Sequence, residues 1–193
     1  LGALTEWVLD QSLAAVAAIH EEQHPFRISV NVSAASLVDV TFPSKIAAAL
    51  GRHGLAPERL MIEVTEDAIM TDRLRCIEVL EAIRDHGVEL SIDDFGTGHS
   101  SLAQVRTLPA SELKIDRAFI SGIASSKQDA DVVKLIIALG KAVQMRVVAE
   151  GIETSEVRRL LTDYGCDIAQ GFAIGRPMPV EALRQFLATT QTA

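Results

Sequence analysis

The sequence predicts an α/β protein of the TIM-type (β/α) barrel class, and three observations carry that prediction. Six short apolar, β-branched segments recur along the chain: RISVNV, RLMIEVT, ELSIDDF, SELKIDR, RVVAEGI and DIAQGF. Stretches with helical spacing of apolar residues lie between them, the alternation of a parallel sheet wrapped in helices. Each segment then stops at or near a carboxylate, amide or amine: Asn31, Glu63, Asp93 with Asp94, Lys114, Glu150 and Gln170. Polar groups at the C-terminal ends of successive parallel strands are what the active-site mouth of a barrel displays. One such ending is easily chance, whereas six in register disfavour a purely structural domain.

The elements follow in order. Leu4 to Ile19 has apolar residues at helical spacing (Leu4, Trp7, Val8, Leu13, Val16), and the tripeptide HPF ends it before the first strand. Pro43 opens the next helix, which stops around Gly51–Gly54. Thr71 and Asp72 offer caps for a helix reaching His86, and Gly87 closes it. DFGTGHSS is the Gly/Ser-rich stretch and reads as a loop, followed by a short helix that Pro109 stops. Ser125 to Asp129 cap a helix reaching Val143, and Thr154 with Ser155 cap the one before Tyr164–Gly165. Pro177 and Pro179 introduce the last helix, which ends near Leu187. No linker or low-complexity tract divides the chain, so residues 1–193 read as one domain. A closed barrel of this class needs eight strands. The six counted here lead to the expectation that the first two are missing and that the domain is N-terminally incomplete.

Composition narrows the function classes. The net charge is -8 and the pI about 5.1, which argues against binding a nucleic acid polymer through a broad basic face. A small phosphorylated ligand held through a metal stays open, because a bound cation inverts the local charge logic. Aromatics make up only 4%, in keeping with Val/Ile/Leu/Ala packing between parallel strands and helices. The most apolar run, VVKLIIALGKAV, is interrupted by Lys134 and Lys141 and is too short to span a bilayer. No signal peptide is evident, and Cys76 and Cys166 have no metal spacing and read as buried free thiols. A cytoplasmic location is the resulting expectation.

The chemistry concentrates at the strand ends. Adjacent carboxylates at Asp93 and Asp94 suit hard cations that take oxygen ligands. Successive strand residues point to opposite faces, so both converge only if the strand ends there and turns. A turn cap is the competing reading for this pair. Glu63 follows an apolar stretch and is either a ligand or half of a buried ion pair. Asn31 offers a neutral amide oxygen or forms a turn. Glu66 lies past its strand and suits a helix cap or loop anchor. Lys114, between Leu113 and Ile115, is either paired with carboxylates or catalytic, a charged group that also orients a water, and Asp116 with Arg117 reads as a surface or rim pair. Glu150 closes its strand as a metal or water partner, Glu153 stands behind it, and Gln170 is an amide that fixes water or ligand. Four carboxylates against one lysine require either proton uptake or divalent cations, and two Mg²⁺ or Mn²⁺ ions restore balance. Among the histidines, His20, His24, His53 and His86 read as surface or cap residues, and His99 as part of the loop. A Schiff-base lysine of aldolase type is the competing use of Lys114, disfavoured by the acidic surroundings.

The motifs NVSA, EVTE, DDFGTGHSSL, LKIDRAFI, VVAEGIET and AQGFAIGRP, in this order, resemble the EAL-domain family of cyclic-di-GMP phosphodiesterases along nearly the whole chain. The resemblance implies a modified TIM barrel with one antiparallel strand that hydrolyses cyclic-di-GMP to linear pGpG in bacterial second-messenger signalling. It implies metal ligation by Asn31, Glu63, Asp93, Asp94 and Glu150, with Asp93 bridging two ions, Asp94 on the second, Lys114 holding the attacking water, and Glu150 and Gln170 assisting around the metal–water cluster. Glu66 would anchor the DFGTGHSS loop, which supports the second metal and dimer contacts, with Glu153 as a further loop anchor. A homodimer and upstream sensor or diguanylate-cyclase-like domains, with any membrane anchor in upstream segments, complete what it implies. His99 stands where that family usually has a tyrosine, and the strand carrying the Glu-Ala-Leu motif is not in this sequence. A non-catalytic cyclic-di-GMP receptor is the alternative within the family.

Overall fold

The computed structural model describes residues 2–19, 26–96 and 102–190. Its frame is a curled parallel sheet of six strands: β1 (Ile28–Asn31), β2 (Leu60–Thr65), β3 (Glu89–Phe95), β4 (Glu112–Ile115), β5 (Arg146–Ala149) and β6 (Ile168–Ala169). The strands lie in sequence order and each pairs in parallel with the next, so the sheet is a half-barrel. The antiparallel strand implied by the family resemblance is not among the described residues.

Helices occupy the connections. α1 (Gly2–Ile19) precedes the sheet; α2 (Ala34–Leu37) and α3 (Phe42–His53) join β1 to β2. α4 (Glu66–Thr71) and α5 (Arg73–Asp85) lead to β3, and α6 (Leu102–Val105) to β4. α7 (Arg117–Ile120) and α8 (Lys127–Ala142) lead to β5, α9 (Ser155–Tyr164) to β6, and α10 (Val180–Thr190) follows. The caps are those the sequence offers. Asp72, Ser126 and Thr154 accept from the backbone N–H groups of Arg75, Asp129 and Val157. Gly54 and Gly165 close α3 and α9 in the left-handed conformation. The short helices α2, α4 and α7 are additions to the predicted set. None of the described helices is long and apolar enough to cross a membrane.

The two faces of the sheet differ, and this positions the site. Leu60, Ile62 and Val64 of β2, Leu90 and Ile92 of β3, Leu113 and Ile115 of β4, and Val147 and Ala149 of β5 join one apolar core with α1, α3, α5 and α8. The intervening residues face the concave side: Arg27, Ser29, Met61, Glu63, Glu112, Val148, Ile168 and Gln170 line a cavity of about 250 Å³ there. Period-two alternation has put the oil outside the curl and the charge inside it.

Gly171 follows β6 at a close approach of backbones. Ile152 N–H donates to the Gln170 carbonyl (3.1 Å) and Ala173 N–H to the Ile152 carbonyl (2.9 Å). A Cβ on Gly171 would stand 2.2 Å from Ile152 N and 2.3 Å from its oxygen. Gly171→Ala is therefore expected to cost about 1–3 kcal/mol, the usual penalty of overpacking. A urea melt checks this, and an unchanged midpoint would remove Gly171 as a structural constraint.

Candidate metal centre

The described strand ends converge on Lys114. Its side chain is 3% exposed, and its ammonium lies 2.6 Å from Glu150 Oε1, 2.9 Å from Glu63 Oε2 and 3.1 Å from Asp93 Oδ1. The four residues come from β4, the end of β5, β2 and β3 in turn, so only the folded half-barrel assembles them. Burial alone disfavours the ammonium, but hydrogen bonds from Lys114 to Glu150 and Glu63 and the charges of Glu63 and Asp93 hold its pKa above the usual lysine range. Such a lysine is charged throughout the physiological range, the opposite of what Schiff-base chemistry requires.

Asn31 joins through its amide nitrogen, which donates to Glu63 Oε2 at 3.2 Å. That leaves the amide oxygen as its ligand atom for a cation. Asp94 joins by a backbone irregularity. The β3–β4 register shifts between Ile92 and Phe95, and Asp94 has φ +55. This bulge turns the Asp94 side chain out of strict alternation while β3 continues to Phe95. Convergence therefore comes from a bulge inside the strand, not from the strand ending as expected.

Asp93, Asp94 and Glu150 each offer a carboxylate oxygen, all within 4.8 Å of one another. Burial, the neighbouring Asp93 charge and a hydrogen bond with Asp116 push the Asp94 carboxyl up. Burial also pushes up Glu150, with the bond to Lys114 pulling the other way. Carboxylates crowded to this degree favour either a proton or a cation between them, and all the donors are hard oxygens. The residues present fit Mg²⁺ or Mn²⁺ on that chemistry.

Other predicted residues fall elsewhere. Gln170 borders this site and the next pocket, of about 200 Å³, which Arg117, Glu150 and Glu153 also line. Glu153 is not in the carboxylate cluster: it is half exposed and pairs with Arg117 at 3.3 Å. Asp116 and Arg117 are accordingly not paired with each other. Asp116 caps α7 by accepting from Ala118 N–H at 2.7 Å and shares a hydrogen bond with Asp94, a role missed in the sequence. Glu66 is buried in the first turn of α4, where a helix dipole favours an acid. Residues 97–101 of the loop it is expected to anchor, His99 among them, lie outside the described residues, as do His20 and His24. Cys76 is buried as expected, whereas Cys166 is only partly so, its thiol within reach of the Val147 and Ile168 carbonyls.

Beneath the carboxylates lies an ionic layer that sequence reasoning did not find. Arg27 and Arg146 both pair with Glu89, and Arg146 stands 3.5 Å from Glu112. Burial pushes the Glu112 carboxyl up. The signal was available, since all six segments begin with or next to a charged residue, Arg27, Glu89, Glu112 and Arg146 among them.

The sequence model of the EAL domain matches residues 1–177. The chain belongs to the EAL domain family. It is 44% identical over 179 residues to the bifunctional diguanylate cyclase/cyclic di-GMP phosphodiesterase MucR of Pseudomonas aeruginosa, covering 92% of this chain and 26% of that protein. It is 41% identical to the cyclic di-GMP phosphodiesterase NbdA of the same organism, covering 95% of this chain and 24% of NbdA. The chain thus spans about a quarter of the length of these curated relatives. Among solved structures, the PaMucR phosphodiesterase in complex with c-di-GMP superposes with a TM-score of 0.89 at 43% identity, over 94% of this chain and 74% of that one. The EAL domain of Mycobacterium smegmatis DcpA gives a TM-score of 0.92 at 33% identity, over 97% and 85%. The half-barrel is therefore the EAL fold.

Proposed function

We propose that this chain forms the catalytic face of a divalent-metal-dependent phosphodiesterase that hydrolyses cyclic-di-GMP to linear pGpG. The observation that carries the reading is the convergence of Glu63, Asp93 and Glu150 on Lys114, with Asp94 against them. The names of the relatives supply the substrate. A receptor that only binds the nucleotide has no evident need for so costly a buried charge cluster.

Asp93, Asp94 and Glu150, with Glu63 and the Asn31 amide oxygen, would hold Mg²⁺ or Mn²⁺. The chemistry such cations would supply when bound is charge neutralisation of a phosphodiester and stabilisation of the entering and leaving oxygens of an in-line displacement. The chain's own residues do the rest. Lys114 keeps three carboxylates in fixed relative positions, so the ligand set is formed before substrate arrives. Its ammonium and the Glu150 carboxylate are a donor and an acceptor 2.6 Å apart, suited to orienting a water and taking its proton. Gln170 offers an amide beside Glu150 for the same water or a phosphate oxygen. Glu66 is assigned to steadying the segment after Asp94.

The test is to incubate the complete domain, including the strand that carries the Glu-Ala-Leu motif, with cyclic-di-GMP and Mg²⁺ or Mn²⁺ and to separate the products by chromatography. Linear pGpG that vanishes with chelator is the expected result. Calorimetric binding without product would move the reading to a receptor. Product in metal-free buffer would remove the cations from it.

A further inference from the structure

Arg117 is the residue the proposed chemistry leaves unused. It follows β4 by two positions and lines the pocket of about 200 Å³ together with Glu150, Glu153, Gln170 and Phe172. Its stem lies across Gly151, which has φ +68. A Cβ at that position would stand 2.5 Å from Arg117 Cγ and 2.9 Å from its Cβ. The missing side chain at 151 is what lets the arginine lie beside Glu150. The guanidinium meets Glu153 at 3.3 Å, and the two side chains are 68% and 55% exposed. An exposed pair of this kind is worth little, so exchanging the carboxylate for a ligand anion costs little. Lys114 cannot make such an exchange, since three buried carboxylates hold it. β4 is also an inner strand, with β5 and β6 beyond it, so the exposure of Arg117 does not come from an edge of the sheet.

We propose that Arg117 is a substrate-binding residue that grips the phosphodiester not being cut, and that Glu153 holds it in place until ligand arrives. This rests on the reading of the site given above. A cyclic dinucleotide carries two phosphodiester anions. The one at the carboxylate cluster would be served by the cations held there. The other lies one nucleotide away and needs its own positive partner on a chain whose net charge is -8. A guanidinium presents parallel N–H donors that match two phosphate oxygens, which an ammonium does less well.

The experiment is calorimetric titration of the chain with cyclic-di-GMP, with Ca²⁺ replacing Mg²⁺ to hold turnover low. Arg117→Ala is expected to raise Kd about tenfold, equivalent to about 1.4 kcal/mol. Arg117→Lys should recover at least half of that loss on the logarithmic scale, because the charge remains. Both variants should melt within about 2 °C of the wild type, as exposed substitutions do. Wild-type affinity in Arg117→Ala overturns the inference and leaves the functional reading standing. Lysine as weak as alanine also overturns it, because packing against Gly151 and not charge would then matter. A wild-type chain that binds no cyclic-di-GMP removes the functional reading and this inference with it.

Discussion

Replacing Lys114 by methionine is expected to lower turnover by a factor of about 10²–10⁴, the range for losing one positioned proton-transfer or charge-stabilising group. It should also destabilise the chain in a pH-dependent way. The ammonium is the cation that Glu63, Asp93 and Glu150 share at 2.6–3.1 Å. Methionine fills the volume but leaves those carboxylates facing one another. Breaking a buried ion pair from one side costs about 3–5 kcal/mol. The sign with pH follows from the carboxylates. Burial and the neighbouring carboxylates already raise the Glu150 carboxyl and Lys114 pulls it down, so removing the lysine raises it further and the folded state binds that proton more tightly. The penalty is full above the raised pKa and shrinks as pH falls through it. Thermal melts in chelator should therefore show a loss of about 6–20 °C at pH 8, taking 2–4 °C per kcal/mol, and a clearly smaller loss at pH 5. An equal loss at both values would mean that lysine contributes packing and not charge. Retained turnover would take Lys114 out of the catalytic assignment.

That prediction uses a contact set only partly visible in the sequence. The six strands and the long helices were legible because each has a period of its own: β-branched runs ending at polar groups, and apolar stripes closed by Gly54, Gly87 and Gly165. α2 and α7, of four residues each, and α4, of six, are too short to show a helical period. Asp93 and Asp94 could be named as a pair, but strict alternation sets them on opposite faces. The bulge with φ +55 at Asp94 resolves this, and it leaves little trace in sequence because Asp is among the few residues that tolerate that conformation. Glu153 was misplaced for the converse reason. The spacing in AEGIE suggested a group behind Glu150, but Gly151 in the left-handed region redirects the chain and sends Glu153 out to Arg117. The ionic layer of Arg27, Glu89, Glu112 and Arg146 lies where strands begin, and a charged residue there reads equally well as an ordinary solvated strand entry, so only the fold shows that these four meet.

Divalent cations are expected to raise the melting temperature much more at pH 7.5 than at pH 5. Asp93, Asp94 and Glu150 bring carboxylate oxygens within 4.8 Å of one another, and Lys114 reaches only Asp93 and Glu150 among them. Burial and the Asp93 charge raise Asp94; burial raises Glu150. Groups with raised folded pKa values detract from stability once pH is above those values, and the loss is relieved as pH falls through them. At pH 7.5 these groups are charged and crowded, and a cation relieves what protons no longer do. At pH 5 protons compete for the same oxygens, so the cation binds more weakly and stabilises less. With Mg²⁺ or Mn²⁺ at a hundredfold excess over Kd, linkage supplies about 2.7 kcal/mol. For a chain of this size that is about 5–10 °C at pH 7.5. Scanning calorimetry with each metal and with chelator, at both pH values, measures it. Asp94→Asn should weaken the cation effect, because an amide keeps one oxygen donor but removes the charge that draws the ion in. A metal-induced shift of the same size at both pH values, or one unaltered in Asp94→Asn, would place the binding cation somewhere other than these carboxylates.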